Sequence, residues 1–360
     1  MNFFIPKANT HPDVAKEQHL VPRTYMRQWS YNSDDSIWVI DKKELNKGIQ
    51  TKNINSINYV NGYHDIKAGD LFMPDEALKE LYSFLLPLKI VYDGKTLKTL
   101  RDIHNAFFNY EDWEIYDNSG IKATKKEKNE IQRVLIQSRF TFIEEQWCYQ
   151  YENKFFEFIS KIERNLHCKL LLNPYKITAD EYKELMKYLL IFDFRNNQGN
   201  SYINDIIDCL PMDIFDEIDI PPQDRIHFFN QNAGDELRYA LRISAFYNFL
   251  KNKEGIIQSM TDSYLQNLGI VIYLTTKNHP FITSELASLM KIQPNGLKEH
   301  IFIATPTMLI SAFKSHTYGH IVTTNARPSV VWKYNKYIAK MSKTIITYDK
   351  GLNFQRLLST

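Results

Sequence analysis

A histidine near the amino end of the chain stands just before a predicted helix. The segment is His19-Leu-Val-Pro22-Arg-Thr-Tyr25-Met-Arg-Gln-Trp29. Pro22 fixes its own backbone angle and favours an extended residue before it, so an extended arm should turn into a helix there. At the positive end of that helix the imidazole of His19 would stay neutral, able to accept a proton or bind a metal. The alternative is structural, with the ring bonded to a backbone group that holds the arm on the core.

Two glutamates and an arginine form a second candidate group. Glu145 and Glu152 are seven residues apart in a predicted long helix, which places both carboxylates on one helical face. The stretch Thr178-Ala-Asp-Glu181 is a capping box that opens a further helix to about Arg195. If these helices pack antiparallel, Arg195 could meet a glutamate and form a phosphate clamp or position an acid–base group. A partly buried structural ion pair is the other interpretation.

Further polar candidates lie in the last third of the chain. Ser284 and Glu285 end a predicted strand, where they could bind a cation or a substrate hydroxyl, or simply cap the strand. Four lysines recur along one stripe of the predicted final helix, Ser329 to Ser342, and its end: Lys333, Lys336, Lys340 and Lys343. This stripe could contact nucleic-acid phosphates, or it is an ordinary solvated face.

The opening segment resembles the start of the domain of unknown function 4238 family, an uncharacterised bacterial family whose members begin with His, Val-Pro, an aromatic, Leu or Met, and another aromatic. Later positions are similar to the family in the same order: Glu145, Glu152, Tyr188 to Arg195, Phe281 to Glu285, Ile303 to Pro306, and Asn335. Three departures are Glu285 in place of Asp, Leu286-Ala287 in place of Asn-Pro, and an additional polar excursion around residues 109–128. The resemblance implies a shared fold, shared site positions and a mobile-element or phage-defence setting, but it names no reaction.

Composition predicts a globular protein without a membrane partner. Of 360 residues 44% are hydrophobic, 14% aromatic and 24% charged, a balance that argues against extensive disorder. The three cysteines show neither disulfide nor zinc-finger spacing, which favours a reducing cytoplasm. No apolar run approaches the roughly 20 residues of a membrane span. His316 and His320 are spaced like a helical metal pair, but Gly319 favours a turn there, so we predict no cofactor and no metal site while leaving a divalent metal open.

The periodicity of apolar residues predicts an α+β fold. Residues 1–250 should form a mainly helical body with an N-terminal hairpin made of Ser36 to Asp41 and Gly48 to Ile54. Residues 251–360 should contain a small mixed or antiparallel sheet and pack with the body into one unit. From Met290 onward ten Lys and Arg residues face two acidic residues, which indicates either a basic binding surface or a contact with the acidic region before Arg225.

Two functions of different classes follow. The first is an RNase-like or nuclease-like effector in phage defence or toxicity, with His19 as proton acceptor, Glu152 and Arg195 as a clamp and Glu285 as a polar or cation-binding group. Glu145, Ser284 and the four lysines would then contact RNA or DNA. The second is a non-enzymatic sensor or interaction module, with a protein partner or a second copy of the chain, in which the same residues only stabilise the fold.

Overall fold

The protein is described by a computed structural model covering residues 5, 17–65, 73–167, 176–195, 209, 211, 213–225, 230–315 and 320–359. It is 50% helix and 22% strand, with several small sheets, which confirms the α+β class. His316, one member of the predicted histidine pair, lies outside the described residues.

The elements are numbered here in chain order. The helices are α1 Arg23–Met26, α2 Asp75–Tyr82, α3 Leu100–Ala106, α4 Lys125–Trp147, α5 Asn153–His167, α6 Ala179–Arg195, α7 Asp213–Asp216, α8 Ala233–Leu250, α9 Ile256–Asn267, α10 Pro328–Met341 and α11 Phe354–Leu358. The strands are β1 Glu17–His19, β2 Ser36–Asp41, β3 Gln50–Asn53, β4 Tyr59–Asn61, β5 Lys89–Tyr92, β6 Lys95–Leu97, β7 Glu114–Tyr116, β8 Leu268–Leu274, β9 Thr283–Ser284, β10 Ser288–Ile292, β11 Lys298–Thr305, β12 Met308–Lys314, β13 Ile321–Asn325 and β14 Thr344–Thr347.

The chain divides into two compact units, each assembled from three stretches. Unit 1 consists of Met1–Gln18, Val60–Cys148 and Ile206–Ile257, and unit 2 consists of His19–Tyr59, Tyr149–Asp205 and Gln258–Thr360. Each unit draws on residues before and after position 250. The sequence-based division at that position stays a prediction.

Unit 1 combines helices with a small antiparallel sheet in the strand order β6-β5-β7. Its helix α4 begins with a capping box, in which Thr124 and Glu127 bond each other's backbone N–H groups. Helices α4 and α8 pack through aromatic side chains, with Phe142 stacked on Tyr247 and the edge of Trp147 against Phe246. None of the described helices has the length and apolar composition that a bilayer span requires.

Unit 2 contains a five-stranded mixed sheet in the order β10-β11-β12-β8-β13. All pairs are antiparallel except β13 with β8, which is parallel. One face packs on α6, where Phe192 stacks on Phe302 of β11 with ring centroids 5.1 Å apart. The other face packs on α10, where Tyr334 lies 5.3 Å from Tyr273 of β8. Because strand residues alternate between faces, neighbouring residues of β11 face different helices.

A second sheet of unit 2 contains the predicted N-terminal hairpin, in which β2 pairs antiparallel with β3, and extends it beyond what the sequence predicts. It has the order β3-β2-β14-β9, so the N-terminal hairpin pairs with strands from the other end of the chain. Ile345 of β14 lies opposite Ile40 of β2 on one side and Ser284 of β9 on the other. Together with the sheet of unit 1, this shows that strand pairing is not confined to the C-terminal third.

The opening segment anchors the core of unit 2. Tyr25, Met26 and Trp29 lie on one side of α1 and the 3-10 turn that follows, and all three are fully buried. The Tyr25 hydroxyl donates to the carbonyl of Ile303 and bonds Thr283 Oγ1, both at 2.6 Å. The predicted start at Pro22 and the apolar stripe are confirmed, but α1 has only four residues. A helix of one turn supplies little of the dipole field that the sequence argument placed beside His19.

Candidate functional site

His19 is buried in unit 2 and holds the arm to a neighbouring loop. Its Nδ1 lies 3.2 Å from the carbonyl oxygen of Ile57, and the next backbone N–H, that of Leu20, donates to Asn58. The ring also meets Tyr59 edge-on, with centroids 5.8 Å apart. These are the contacts expected of a histidine that fixes the arm, and the proton-acceptor role stays a prediction.

Arg195 joins His19 to Glu152, so three of the four predicted catalytic residues meet. The Arg195 Nε donates to the backbone carbonyl of His19 at 2.6 Å, and its Nη1 lies 2.5 Å from Glu152 Oε1. The side chains of Arg195 and Glu152 are only 2% and 10% exposed. The capping box at Thr178 is present, and Arg195 is the last described residue of α6, so this helix carries the guanidinium into the buried cluster.

Glu145 does not share the environment of Glu152. The chain forms a π-helical turn over Cys148–Glu152 between α4 and α5. A π turn has more residues than an α turn, so a spacing of seven across it does not return to the same face. Glu145 is exposed, whereas Glu152 is buried. The predicted common face of the two glutamates is therefore wrong.

Ser284 and Glu285 are bonded to the main chain at the end of β9. The Glu285 carboxylate accepts from the backbone N–H groups of Lys343 at 2.5 Å and Thr344 at 2.8 Å, where β14 begins. Burial raises the pKa of Glu285 above its usual value although both backbone donors lower it. The hydroxyl of Ser284 accepts from the N–H of Leu286 and donates to its carbonyl. Both contacts are those of a strand-end cap.

The four lysines have different surroundings. Lys333, Lys336 and Lys340 lie on α10, which confirms the predicted helix Ser329 to Ser342 to within one residue at each end, although it is not the final helix because α11 follows it. Lys343 follows the helix and is exposed, like Lys333 and Lys340, whereas Lys336 is half-buried. Lys333 is the one of the four that lines the cavity between α10 and the five-stranded sheet.

This cavity, here called the sheet–helix cavity, lies entirely within unit 2 and has a volume of about 380 Å³. That volume falls in the range typical of small-molecule sites. Its floor consists of side chains from the same sheet face, which the register brings together: Val271, Tyr273, Lys291, Glu299, Ser311 and Phe313. The six other lining residues come from α10, namely Val330, Lys333 and Tyr334, and from the connection between β10 and β11 and the start of β11, namely Gln293, Leu297 and Lys298.

A buried carboxylate organises the cavity. Glu299 Oε1 accepts from the hydroxyls of Ser311 at 2.7 Å and Tyr334 at 2.6 Å, while Oε2 accepts from Lys291 at 3.1 Å and from Gln293. Burial by itself would raise the pKa of Glu299, but the hydroxyl donors and the ammonium outweigh it and hold the pKa below its usual value. Burial, and after it the same carboxylate, raise the pKa of Tyr334. Glu299 is therefore an ionised, fully engaged group, which makes it a poor proton acceptor.

The cavity is positively charged. Lys291, Lys298 and Lys333 line it, and Glu299 is the single acidic residue among its lining residues, so these side chains carry a net charge of +2. Lys291 lies 5.0 Å from the centre of the Tyr334 ring, a cation–π distance. All three lysines belong to the basic stretch after Met290 that the sequence predicts as a possible binding surface, but only Lys333 was predicted as an individual contact residue. Neither Lys291 nor Glu299 lies in a predicted strand. Lys291 could have been suspected because it stands between the apolar residues Met290 and Ile292, whereas Glu299 directly precedes the predicted strand His300 to Ala304.

Two other buried clusters contain groups that could do chemistry. In unit 2, His300 Nε2 lies 2.7 Å from Ser288 Oγ and 3.7 Å from Asp193 Oδ1, and the Tyr264 hydroxyl is 3.2 Å from Nδ1. A catalytic triad places the acid and the serine on opposite ring nitrogens, whereas here both meet Nε2. All of these polar side chains are buried against the second face of the sheet. The arrangement is that of a polar core network.

In unit 1, His64 forms a buried pair with Glu144. The two are 2.5 Å apart through Nδ1 and Oε1, and the edge of the imidazole meets Phe246. The neighbouring Tyr63 is buried, which raises its pKa to about 12 although Arg242 lowers it. Glu144 is the residue next to the predicted Glu145, so the sequence analysis chose the exposed member of an adjacent pair. Among the described residues, no three His, Cys, Asp or Glu side chains lie close enough together to hold a metal ion.

The comparison with known families matches most of the chain. A family model described as a protein of unknown function (DUF4238) aligns with residues 17–351. No curated protein and no solved structure matches significantly. The positions that carry the resemblance bond one another inside unit 2: Arg195 to His19, Tyr25 to Thr283, and the Trp29 indole to the Phe281 carbonyl.

Proposed function

This chain belongs to the DUF4238 family, and we propose that it is a bacterial effector that binds nucleic acid through the sheet–helix cavity. The observation that carries the proposal is the combination of an open cavity, aromatic and aliphatic walls, and three lysines against one carboxylate. Nucleic acids carry both phosphates and flat bases. The lysines of the cavity are complementary to the phosphates, and its aromatic side chains are complementary to the bases.

The lysines extend from the cavity along α10. Lys298 and Lys333 are exposed at its rim, and Lys340 lies exposed two helical turns beyond Lys333. Successive phosphates of a nucleic-acid strand could therefore contact the lysines at the rim of the cavity and then Lys340 on α10. Each lysine that neutralises a phosphate contributes to binding by releasing counterions, so the affinity should fall steeply with salt.

A non-enzymatic sensor or interaction module is the second candidate, and one observation favours it over a nuclease. His19, Arg195 and Glu285 all bond backbone groups and are buried, so none is presented to a substrate in this conformation. Binding without cleavage is therefore the form of the proposal that the geometry supports best. A cytoplasmic location and a role in phage defence or toxicity are parts of the proposal that experiments in cells would test, and binding measured with and without a chelator would test whether a divalent metal takes part.

Fluorescence anisotropy of a labelled single-stranded oligonucleotide, titrated with protein at several salt concentrations, tests nucleic-acid binding. The plot of log affinity against log salt should be linear, and the double variant Lys298→Ala/Lys333→Ala should reduce the magnitude of its slope by about 1.4, since each phosphate contact with a single strand contributes about 0.7. Lys95→Ala, which removes an exposed lysine of β6 in unit 1, is the matched control and should leave the slope unchanged. No binding at low salt, or an equal effect of the control, would overturn the proposal. Lys340→Ala distinguishes a contribution from the whole helix from one confined to the rim.

A further inference from the structure

Resting on the proposed function, we infer that the sheet–helix cavity binds one unstacked nucleotide, either free or at a single-stranded position of a nucleic acid. Its volume of about 380 Å³ is sufficient for one base and its sugar, and too small for a stacked helix. The bases of a duplex are stacked and paired, so each would first have to be extruded at a cost of a few kcal/mol.

Aromatic side chains of the cavity are placed to receive a base. Tyr273 and Phe313 line it and are half-buried, so part of each ring is accessible. Tyr334, 5.3 Å from Tyr273, is buried with its hydroxyl held by Glu299. The partly accessible Tyr273 ring therefore rests on a fixed support, which reduces the conformational entropy lost when a base stacks on it.

The polar groups of the cavity define what it does not recognise. The Glu299 carboxylate already accepts from Ser311, Tyr334, Lys291 and Gln293, which leaves it little capacity to accept a hydrogen bond from a base. Recognition would therefore depend on ring stacking and on phosphate contacts with Lys298 and Lys333. Such a site tolerates different bases but requires the phosphate.

The test compares four probes by anisotropy and competition. They are a labelled ten-nucleotide single strand, the same strand in a blunt duplex, and an unlabelled nucleoside 5′-monophosphate and its nucleoside as competitors. The single strand should bind at least about ten-fold more tightly than the duplex, and the monophosphate should compete far better than the nucleoside. Tyr273→Leu should weaken single-strand binding by about 5- to 150-fold, because stacking on one aromatic ring contributes that much.

Tyr149→Leu provides the matched control, because Tyr149 is 76% exposed and does not line the cavity. Both variants are first checked for unchanged thermal unfolding. Equal binding of single strand and duplex, unaffected by Tyr273→Leu, would overturn the inference while nucleic-acid binding stands. Binding of the monophosphate without the strand would support the nucleotide site and overturn the nucleic-acid function. Binding of none of the probes would overturn both.

Discussion

Breaking the buried pair of Glu152 and Arg195 should destabilise unit 2 strongly. The perturbation is Arg195→Met, which keeps most of the side-chain volume and removes the charge. The guanidinium is 2% exposed, lies 2.5 Å from Glu152 and donates to the His19 carbonyl at 2.6 Å. The variant leaves a buried carboxylate and a buried carbonyl without this donor.

The magnitude follows from these two losses. Removing one partner of a buried ion pair typically costs about 3–5 kcal/mol, because the other charge stays buried. Losing a hydrogen bond from a charged donor contributes about 1.5–3 kcal/mol, although the two terms overlap. We therefore expect a loss of about 4 kcal/mol in the free energy of unfolding. The double variant Glu152→Met/Arg195→Met should recover much of it, since no uncompensated charge remains.

Urea unfolding monitored through tryptophan fluorescence, to which the buried Trp29 of unit 2 contributes, measures these differences in the single and double variants. The control is Arg133→Met, whose partner Glu130 lies 2.9 Å away on the surface of α4. That change should cost no more than about 0.5 kcal/mol. A loss below about 1 kcal/mol for Arg195→Met would refute the reasoning and would restore Arg195 as a candidate for catalysis rather than stability.

Three further predictions concern buried polar groups of unit 2. Because the folded pKa of Glu299 is lowered, its ionised form stabilises the fold above the unfolded pKa of about 4.3, and this contribution is lost as the pH falls through the folded value. The stability difference between wild type and Glu299→Gln, measured by denaturant unfolding across pH, should accordingly be largest near neutrality and shrink in acid; a difference that grows in acid would contradict it. Tyr25→Phe removes the hydroxyl bonded to Ile303 and Thr283 and should cost about 1–3 kcal/mol of unfolding free energy, whereas no loss would show that these bonds contribute nothing net. Asn335→Ala should cost about 2–5 kcal/mol, because its amide bonds both the Ile282 N–H and the Pro280 carbonyl; the exposed Asn325→Ala is the control, and equal effects of the two would reject this account.

Elements with strong local patterns were predictable from the sequence. The capping box at Thr178 set the start of α6, and the apolar spacing of Tyr25, Met26 and Trp29 set the buried side of the first turn. Both depend on residues within one or two turns of each other, where helix geometry decides which side chains meet. The same holds for α10, whose predicted and observed ends differ by one residue.

Strand partners were not predictable, because pairing depends on residues far apart in the chain. Nothing within Thr344 to Thr347 indicates that β14 lies between β2 and β9, some 300 and 60 positions away. The sheet–helix cavity depends on the same kind of information. Lys291, Glu299 and Ser311 share one face only through the register of three strands.

The candidate site shows a further limit of sequence reasoning. Polar residues within recognisable motifs, such as His19 and Glu285, were predicted as site residues, although they form hydrogen bonds with backbone groups. Glu299, in contrast, directly precedes an apolar run and carries no motif. The π turn at Cys148–Glu152 likewise changed which glutamate is buried, and no residue in it is one that helix propensities would single out.

Photo-crosslinking tests the central claim most directly, because it locates the nucleic acid on the protein. A single strand carrying 4-thiouridine is irradiated in complex with the wild-type chain, and the modified residues are identified by mass spectrometry. The account predicts crosslinks at Tyr273, Phe313 or Tyr334, and their loss when unlabelled nucleoside monophosphate is present in excess. Crosslinks confined to residues of unit 1, or unaffected by the competitor, would contradict it.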